Sequence, residues 1–147
     1  KFMKLSSRSR YGFRAILELA VEYGKGPLQI KVIAEREDIS NKYLEQLIAM
    51  LKASGLVHSI RGPRGGYILT RPPAEIKLSE VFMTLEGPPV AVECLEHPEF
   101  CARCTDCVTR QVWADMQSAM MGVLEGMTLQ DLVDRTKGAE ATDNYQI

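Results

Sequence analysis

No apolar run in this 147-residue sequence approaches the roughly 20 residues that a membrane-spanning helix needs. The opening Lys1-Phe2-Met3-Lys4-Leu5-Ser6 turns polar too quickly for a signal peptide, and Met3 reads as the natural start. Internal repeats and low-complexity tracts are absent, and the composition excludes collagen-like, coiled-coil-only and disordered classes. Also missing are a nucleophile–base pair and paired acid–base carboxylates, so no enzyme is expected. What is there is an ordinary balance of 46% hydrophobic and 25% charged residues. It is enough chain to bury a core without disulfides. The expectation is a cytoplasmic globular protein with no membrane contact.

The net charge of −1 hides an asymmetry. Residues 1–71 hold 13 Lys/Arg against 6 Asp/Glu, whereas residues 72–147 hold 5 against 13. A basic half beside an acidic half suggests that one part faces a polyanion; scattered surface charge is the plain alternative.

Hydrophobic periodicity predicts a helix over about 9–23, with Ile16, Leu19, Ala20 and Tyr23 on one face. A short second helix carries Ile30, Ile33 and Ala34 and stops near Asp38. Ser40 is a suitable N-cap for a third helix over 41–53. Its stripe of Leu44, Leu47, Ile48 and Leu51 leaves Lys42, Glu45, Gln46 and Ala49 on the opposite side. Two β-prone runs, 56–60 and 67–70, flank Arg61-Gly62-Pro63-Arg64-Gly65-Gly66, which reads as a hairpin with a basic tip. This loop lacks Gly-Lys-Ser/Thr and leads into a strand, so it is not a nucleotide-phosphate loop. A fourth helix holds Leu78, Val81, Phe82 and Leu85; residues 88–106 show no periodicity. A long helix over 107–124 carries Val108, Val112, Trp113, Met116, Met120, Val123 and Leu124. Thr128 with Asp131 resembles a capping box for a short last helix, and the polar tail from Lys137 is expected to be flexible.

Helix, short helix, turn, amphipathic helix and basic hairpin follow the order of a winged helix-turn-helix. The expected fold is mainly α with a small β-hairpin wing. A DNA-binding domain over 3–73 precedes a long helix and cysteine-rich loop over 74–136, with residues 137–147 as tail. The third helix suits a major groove about 12 Å wide. Asn41, Lys42, Tyr43, Glu45 and Gln46 are its candidate contacts with double-stranded DNA. Gln can make paired bonds to adenine, and Glu can accept from cytosine. Arg61, Arg64 and Gly65 at the hairpin tip, and Arg8, Arg10 and Arg14 on the first helix, are candidates for phosphate or minor-groove contact. A plain solvated helix face and a plain hairpin turn are the competing readings.

Cys94, Cys101, Cys104 and Cys107 fall within fourteen residues, spaced C-x6-C-x2-C-x2-C. Without export signals, metal or redox use is preferred to structural disulfides. The x2 spacing matches part of a ferredoxin cluster run, and zinc accepts the same donors. An iron–sulfur cluster (2Fe–2S or 4Fe–4S), a zinc ion and a redox disulfide stay open from spacing alone, in that order. His97 is a lesser candidate ligand; His58 reads as packing or a phosphate contact. An iron–sulfur electron carrier and a zinc-stabilised interaction module are the rival functions; the carrier needs neither a basic half nor a recognition helix, and chelation would unfold the second half of the zinc module.

Three motifs carry a resemblance: Met3-Lys4-Leu5-Ser6-Ser7 with Arg10-Tyr11-Gly12; Ile39-Ser40 with Tyr43-Leu44-Glu45-Gln46-Leu47; and Leu56-Val57 with Arg61-Gly62-Pro63-Arg64-Gly65-Gly66-Tyr67. Over about 3–136 the chain resembles the IscR/NsrR/CymR family of bacterial transcriptional regulators, most of all the iron–sulfur IscR type. Cys107-Val108-Thr109-Arg110 with Trp113 looks like the start of that family's dimerisation helix. The resemblance implies a homodimeric repressor or activator with an iron–sulfur cluster on the loop, controlling cluster biogenesis or a redox or stress response. It implies Cys94, Cys101 and Cys107 as ligands. The IscR type's fourth ligand, a histidine, falls on Arg110, and the NsrR type's acidic ligand falls on Arg10. Neither position can ligate here, and Cys104 is inferred as the fourth. The CymR branch generally lacks a cluster, and this cysteine set argues against that reading.

Overall fold

The computed structural model describes residues 4–89 and 93–144. Met3 of the first motif, residues 90–92 of the aperiodic stretch and residues 145–147 of the tail lie outside the described residues.

Helix α1 (Ser7–Val21) starts at Ser6, whose hydroxyl accepts from Ser9 N–H at 3.2 Å. That N-cap bond satisfies one of the donors a first turn leaves open. Helix α2 (Ile30–Glu37) ends at Asp38, in the left-handed region at φ 53°, which turns the chain sharply into α3 (Asn41–Ala53). Ser40 caps α3 as its sequence suggests, its hydroxyl accepting from Tyr43 N–H at 3.2 Å. Leu44, Leu47, Ile48 and Leu51 are all buried. They meet Ile16 and Leu19 of α1 and Ile33 of α2 in one core.

Strands β1 (Val57–Ile60) and β2 (Gly66–Leu69) pair antiparallel, Val57 opposite Leu69 and Ile60 opposite Gly66. Leu28 adds a bridge that the sequence pattern did not announce. Its N–H donates to Tyr67 O at 3.0 Å and its carbonyl accepts from Tyr67 N–H at 2.9 Å. This fastens the wing to the connection between α1 and α2. A Cβ on Gly66 would fall 2.6 Å from Leu28 O, so glycine permits the approach.

The second half is not packed as a separate body. Helix α4 (Leu78–Leu85) buries Leu78, Val81 and Leu85 in the same core, and Leu85 meets α1 at Gly12. Two short elements follow, α5 (Glu93–Glu96) and a 3-10 turn at Pro98–Phe100. Then come α6 (Val108–Glu125) and α7 (Leu129–Asn144). Thr128 and Asp131 cap α7 reciprocally: Thr128 N–H donates to Asp131 Oδ2 at 2.8 Å, and Asp131 N–H to Thr128 Oγ1 at 3.4 Å. Leu129 and Val133 enter the core beside α1. Backbone bonds of 2.9 Å from Leu78 N–H to Met127 O, and from Leu129 N–H to Ile76 O, clamp the start of α7 to the start of α4. Burying each such aliphatic side chain is worth about 1.5–3 kcal/mol.

The tail corrects one expectation. Helix α7 continues through residues 137–144, where a flexible segment was anticipated. Polar composition alone did not end it. No proline interrupts residues 129–144, and alanine, lysine and glutamate there favour helix.

Candidate nucleic-acid interface and cysteine loop

The polar face of α3 stands away from the core. Asn41, Lys42, Glu45 and Gln46 are all exposed, whereas Tyr43 is half-buried. The Tyr43 hydroxyl lies 3.0 Å from Ser7 Oγ. Its ring meets Tyr11 edge-on, with centroids 6.1 Å apart and planes at 85°. The first turns of α1 and α3 are thereby joined through two aromatic rings, a preferred geometry for such pairs. Arg10 lies 5.8 Å over the Tyr11 ring and Arg14 5.4 Å. Arg8 and Arg10 are exposed. Arg14 is engaged elsewhere: its Nε donates to Glu37 Oε2 at 2.6 Å and its Nη2 to Glu37 O at 3.1 Å. It locks α1 to α2 and is less available to a phosphate than Arg8 or Arg10.

The far end of α3 is tied to the wing through Lys52 Nζ, which donates to Ser59 Oγ at 3.0 Å. At the tip, Arg61 and Arg64 are exposed, while Gly65 is buried. Gly65 N–H donates to Gly62 O at 2.9 Å. A Cβ on Gly65 would fall 2.0 Å from Ile60 O. Gly65 thus shapes the turn that presents the two arginines. His58 is exposed on β1, opposite Ile68. Together these elements offer amide and carboxylate groups on a helix of groove width, flanked by guanidinium groups suited to phosphates.

All four cysteines are free thiols and half-buried. Cys94 lies on α5, Cys101 follows the 3-10 turn, and Cys107 is the N-cap of α6. Cys104 Sγ points at Cys94 O, 3.8 Å away. Arg110, on the first turn of α6, donates to the same carbonyl through Nε at 3.3 Å and Nη2 at 3.2 Å. Arg110 is therefore a clasp between α5 and α6. Burial pushes the Cys104 thiol up, and the neighbouring Cys101 and Cys94 add to the rise. Cys107 moves the other way. The Thr109 hydroxyl, 3.2 Å from its sulfur, and the backbone N–H groups of α6 favour its thiolate. Thiolates of this kind are the soft donors that iron–sulfur clusters and zinc take, so the residue types fit such a group. Among the described residues, however, no three His, Cys, Asp or Glu side chains converge on one metal position. His97 pairs with Glu99 at 3.1 Å and packs on Phe100.

Helix α6 buries none of its residues. Val108, Val112, Met116 and Val123 are 72%, 50%, 45% and 62% exposed, and Trp113 is exposed as well. An open groove of about 680 Å³ runs between α6, α4 and the start of α1, lined by Leu5, Phe13, Phe82, Met116, Met120 and Val123. No described helix is long and apolar enough to cross a membrane.

Sequence reasoning missed three residues here. Tyr11 lay inside a quoted motif, but its pairing with Tyr43 is a tertiary contact. Arg110 was read only as a residue unable to ligate, and its clasp on Cys94 has no local signal. Glu86 accepts from Ser6 N–H at 3.3 Å, from Ser6 Oγ at 2.5 Å and from Ser9 Oγ, which anchors the start of α1 to the end of α4.

The family model described as Rrf2, iron-dependent transcriptional regulator, matches residues 5–135. The HTH-type transcriptional regulator CymR of Bacillus subtilis (strain 168) is 40% identical over 99% of this chain and 100% of its own length. The solved structure of CymR, the global cysteine regulator of B. subtilis, aligns at a TM-score of 0.79 and 38% identity, covering 91% of this chain and 98% of that one. The IscR of T. potens aligns at 0.77 and 38% identity, covering 93% and 90%. The winged-helix fold and the reading as a regulator rather than an enzyme agree with these relatives. The chain belongs to the Rrf2 family of transcriptional regulators.

Proposed function

We propose that the chain acts as a cytoplasmic homodimer on double-stranded DNA, with an iron–sulfur cluster on the cysteine loop adjusting its grip. The observation that carries the DNA reading is the exposed face of α3, held between the arginines of α1 and those of the wing. Asn41, Lys42, Glu45 and Gln46 read base edges; Tyr43, Arg8, Arg10, Arg61 and Arg64 set the register on phosphates or in a minor groove; Gly65 shapes the tip. The bare apolar face of α6 supports a second copy of the chain as its cover.

Cys94, Cys101, Cys104 and Cys107 would hold the cluster, which supplies electron-transfer and ligand-exchange chemistry when bound. The chain's own part is mechanical. Arg110 keeps Cys94 beside the first turn of α6, and Cys107 is the residue that starts α6. Any reordering of the loop therefore acts on α6, which packs on α4 and borders α1. DNA must bias the loop reciprocally.

Anaerobic purification tests this reading. A brown protein with broad visible absorbance, whose gel shift of genomic fragments changes when iron is chelated, is the expected result. A colourless protein with one zinc per chain refutes the cluster. A second reading, a cluster-free regulator answering to cysteine supply, is favoured by the end-to-end match to CymR. It predicts a gel shift indifferent to iron.

A further inference from the structure

Cys104 N–H donates to Cys101 O at 3.3 Å, closing a turn over Ala102 and Arg103. Such a turn holds its first and fourth Cα atoms within about 7 Å. A disulfide requires Cα atoms about 4.4–6.8 Å apart, so this backbone already stands at bridging distance. Both residues are free thiols, and the Cys101 thiol is among the groups acting on that of Cys104. The other pairs are arranged less well. Cys107 Sγ is engaged with Thr109 Oγ1 at 3.2 Å, and no backbone turn bond joins Cys107 to Cys104 among the described residues. Cys104 meets Cys94 at its carbonyl oxygen.

We propose that Cys101 and Cys104 form a reversible dithiol–disulfide site that reacts with a hydroperoxide when the loop holds no metal. One thiolate attacks a peroxide oxygen and the O–O bond breaks, giving a sulfenic acid and releasing water or an alcohol. The second thiol attacks the sulfenic sulfur, its proton leaves with the displaced hydroxide as water, and the S–S bond forms. The two cysteines are oxidised by two electrons in all, and the peroxide is reduced by two. A dithiol reductant reverses the bridge by exchange. The exposed Arg103 between the two cysteines leaves the turn open to small oxidants. One consequence rests on the metal reading above: a bridged pair withholds two of the four sulfurs, so the loop stays empty until it is reduced.

The test uses the full chain, chelated, reduced and desalted without oxygen, then treated with stoichiometric hydrogen peroxide. Free thiols should fall from the four present to two without dimer cross-linking. Cleavage after Arg103 should give two peptides joined by a reducible bond. Cys101→Ser and Cys104→Ser should abolish the bridge, while Cys94→Ser and Cys107→Ser should keep it. A bridge that survives in Cys104→Ser, or oxidation to sulfinic acid with no bridge, overturns the proposal. Bridged and reduced samples are then offered ferrous iron and sulfide. Colour only in the reduced sample supports the consequence, and colour in both defeats it. Colour in neither defeats the metal reading while leaving the bridge standing.

Discussion

Gly65→Ala isolates the wing tip. The added Cβ would fall 2.0 Å from Ile60 O, 2.9 Å from the Arg61 carbonyl carbon and 2.9 Å from Gly62 O. All three are backbone atoms, so no side chain can swing away to relieve the overlap. The tip must open, breaking the 2.9 Å bond from Gly65 N–H to Gly62 O. Forced backbone of this kind costs about 1–3 kcal/mol. The cost falls on an exposed loop, so the melting temperature should drop by only about 2–10 °C. DNA binding should suffer more, because Arg61 and Arg64 flank the distorted bonds. Each lost phosphate contact makes the slope of log K against log salt shallower by about 0.9. Arg64→Ala should remove about 0.9 per bound chain and Gly65→Ala about 1.8, since both arginines are displaced. Fluorescence anisotropy of a labelled duplex across a salt series reads both slopes, and a thermal melt reads the fold. A Gly65→Ala protein with wild-type affinity and slope would refute the account of the tip.

Four more outcomes follow from the packing. Leu129→Ala empties a fully buried position and should cost about 2–5 kcal/mol in urea unfolding; a loss under about 1 kcal/mol would show that α7 is not part of the core. Gly12→Ala sets a gain in helix propensity of about 1 kcal/mol against a Cβ 2.4 Å from Leu85 Cδ1. Overpacking costs about 1–3 kcal/mol, so denaturation should show no gain in stability. Burial works against the Glu86 charge, but bonds from Ser6 and Ser9 outweigh it and hold the carboxyl below the usual range. A depressed folded value gives stability that is full above the unfolded pKa and lost as pH falls through the folded one. Glu86→Gln should therefore lower stability at pH 7 by about 1 kcal/mol after discounting for solvent, and the gap should close in acid; a gap independent of pH would contradict the assigned bonds. Val112→Asp places a charge on the bare face of α6; on the dimer proposed above, sedimentation should find wild type as dimer and the variant as monomer, and two equal sedimentation coefficients would contradict that pairing.

The elements that sequence revealed are those with a local cause. Ser40 and the Leu44–Leu51 stripe mark out α3 because a cap and a 3.6-residue period both act within one helix. Thr128 and Asp131 announced α7 for the same reason. The Tyr11–Tyr43 pair, the Leu28–Tyr67 bridge and the Glu86 anchor were not legible, because each joins segments that only the finished fold brings together. The candidate site divides likewise. Exposure of Lys42, Glu45 and Gln46 follows from helix geometry, whereas the engagement of Arg14 with Glu37 is tertiary.

That division bears on how a loop could speak to a DNA-reading helix. Charge asymmetry suggested two halves, yet Leu129 and Val133 share one core with Leu44 and Ile16. The backbone bonds between residues 76–78 and 127–129 clamp the end of the long-helix segment to α4. Among the described helices of eight residues or more, α6 alone has no buried residue of its own. Under the proposed loop switching, a signal arising at Cys107 has one such element to move, and that element is capped by Gly126, just before the clamp. The rest of the chain, α3 included, responds as a packed body, because close-packed interiors transmit strain instead of absorbing it. On the proposed dimer, regulation would act on the relative placement of two such bodies across α6, and not on the internal shape of either. It follows that isolated substitutions in the loop should alter how DNA affinity depends on half-site spacing. They should leave untouched the base preference proposed for Glu45 and Gln46. A loop variant such as Cys107→Ser that changed base preference at fixed spacing would show instead that α3 itself deforms.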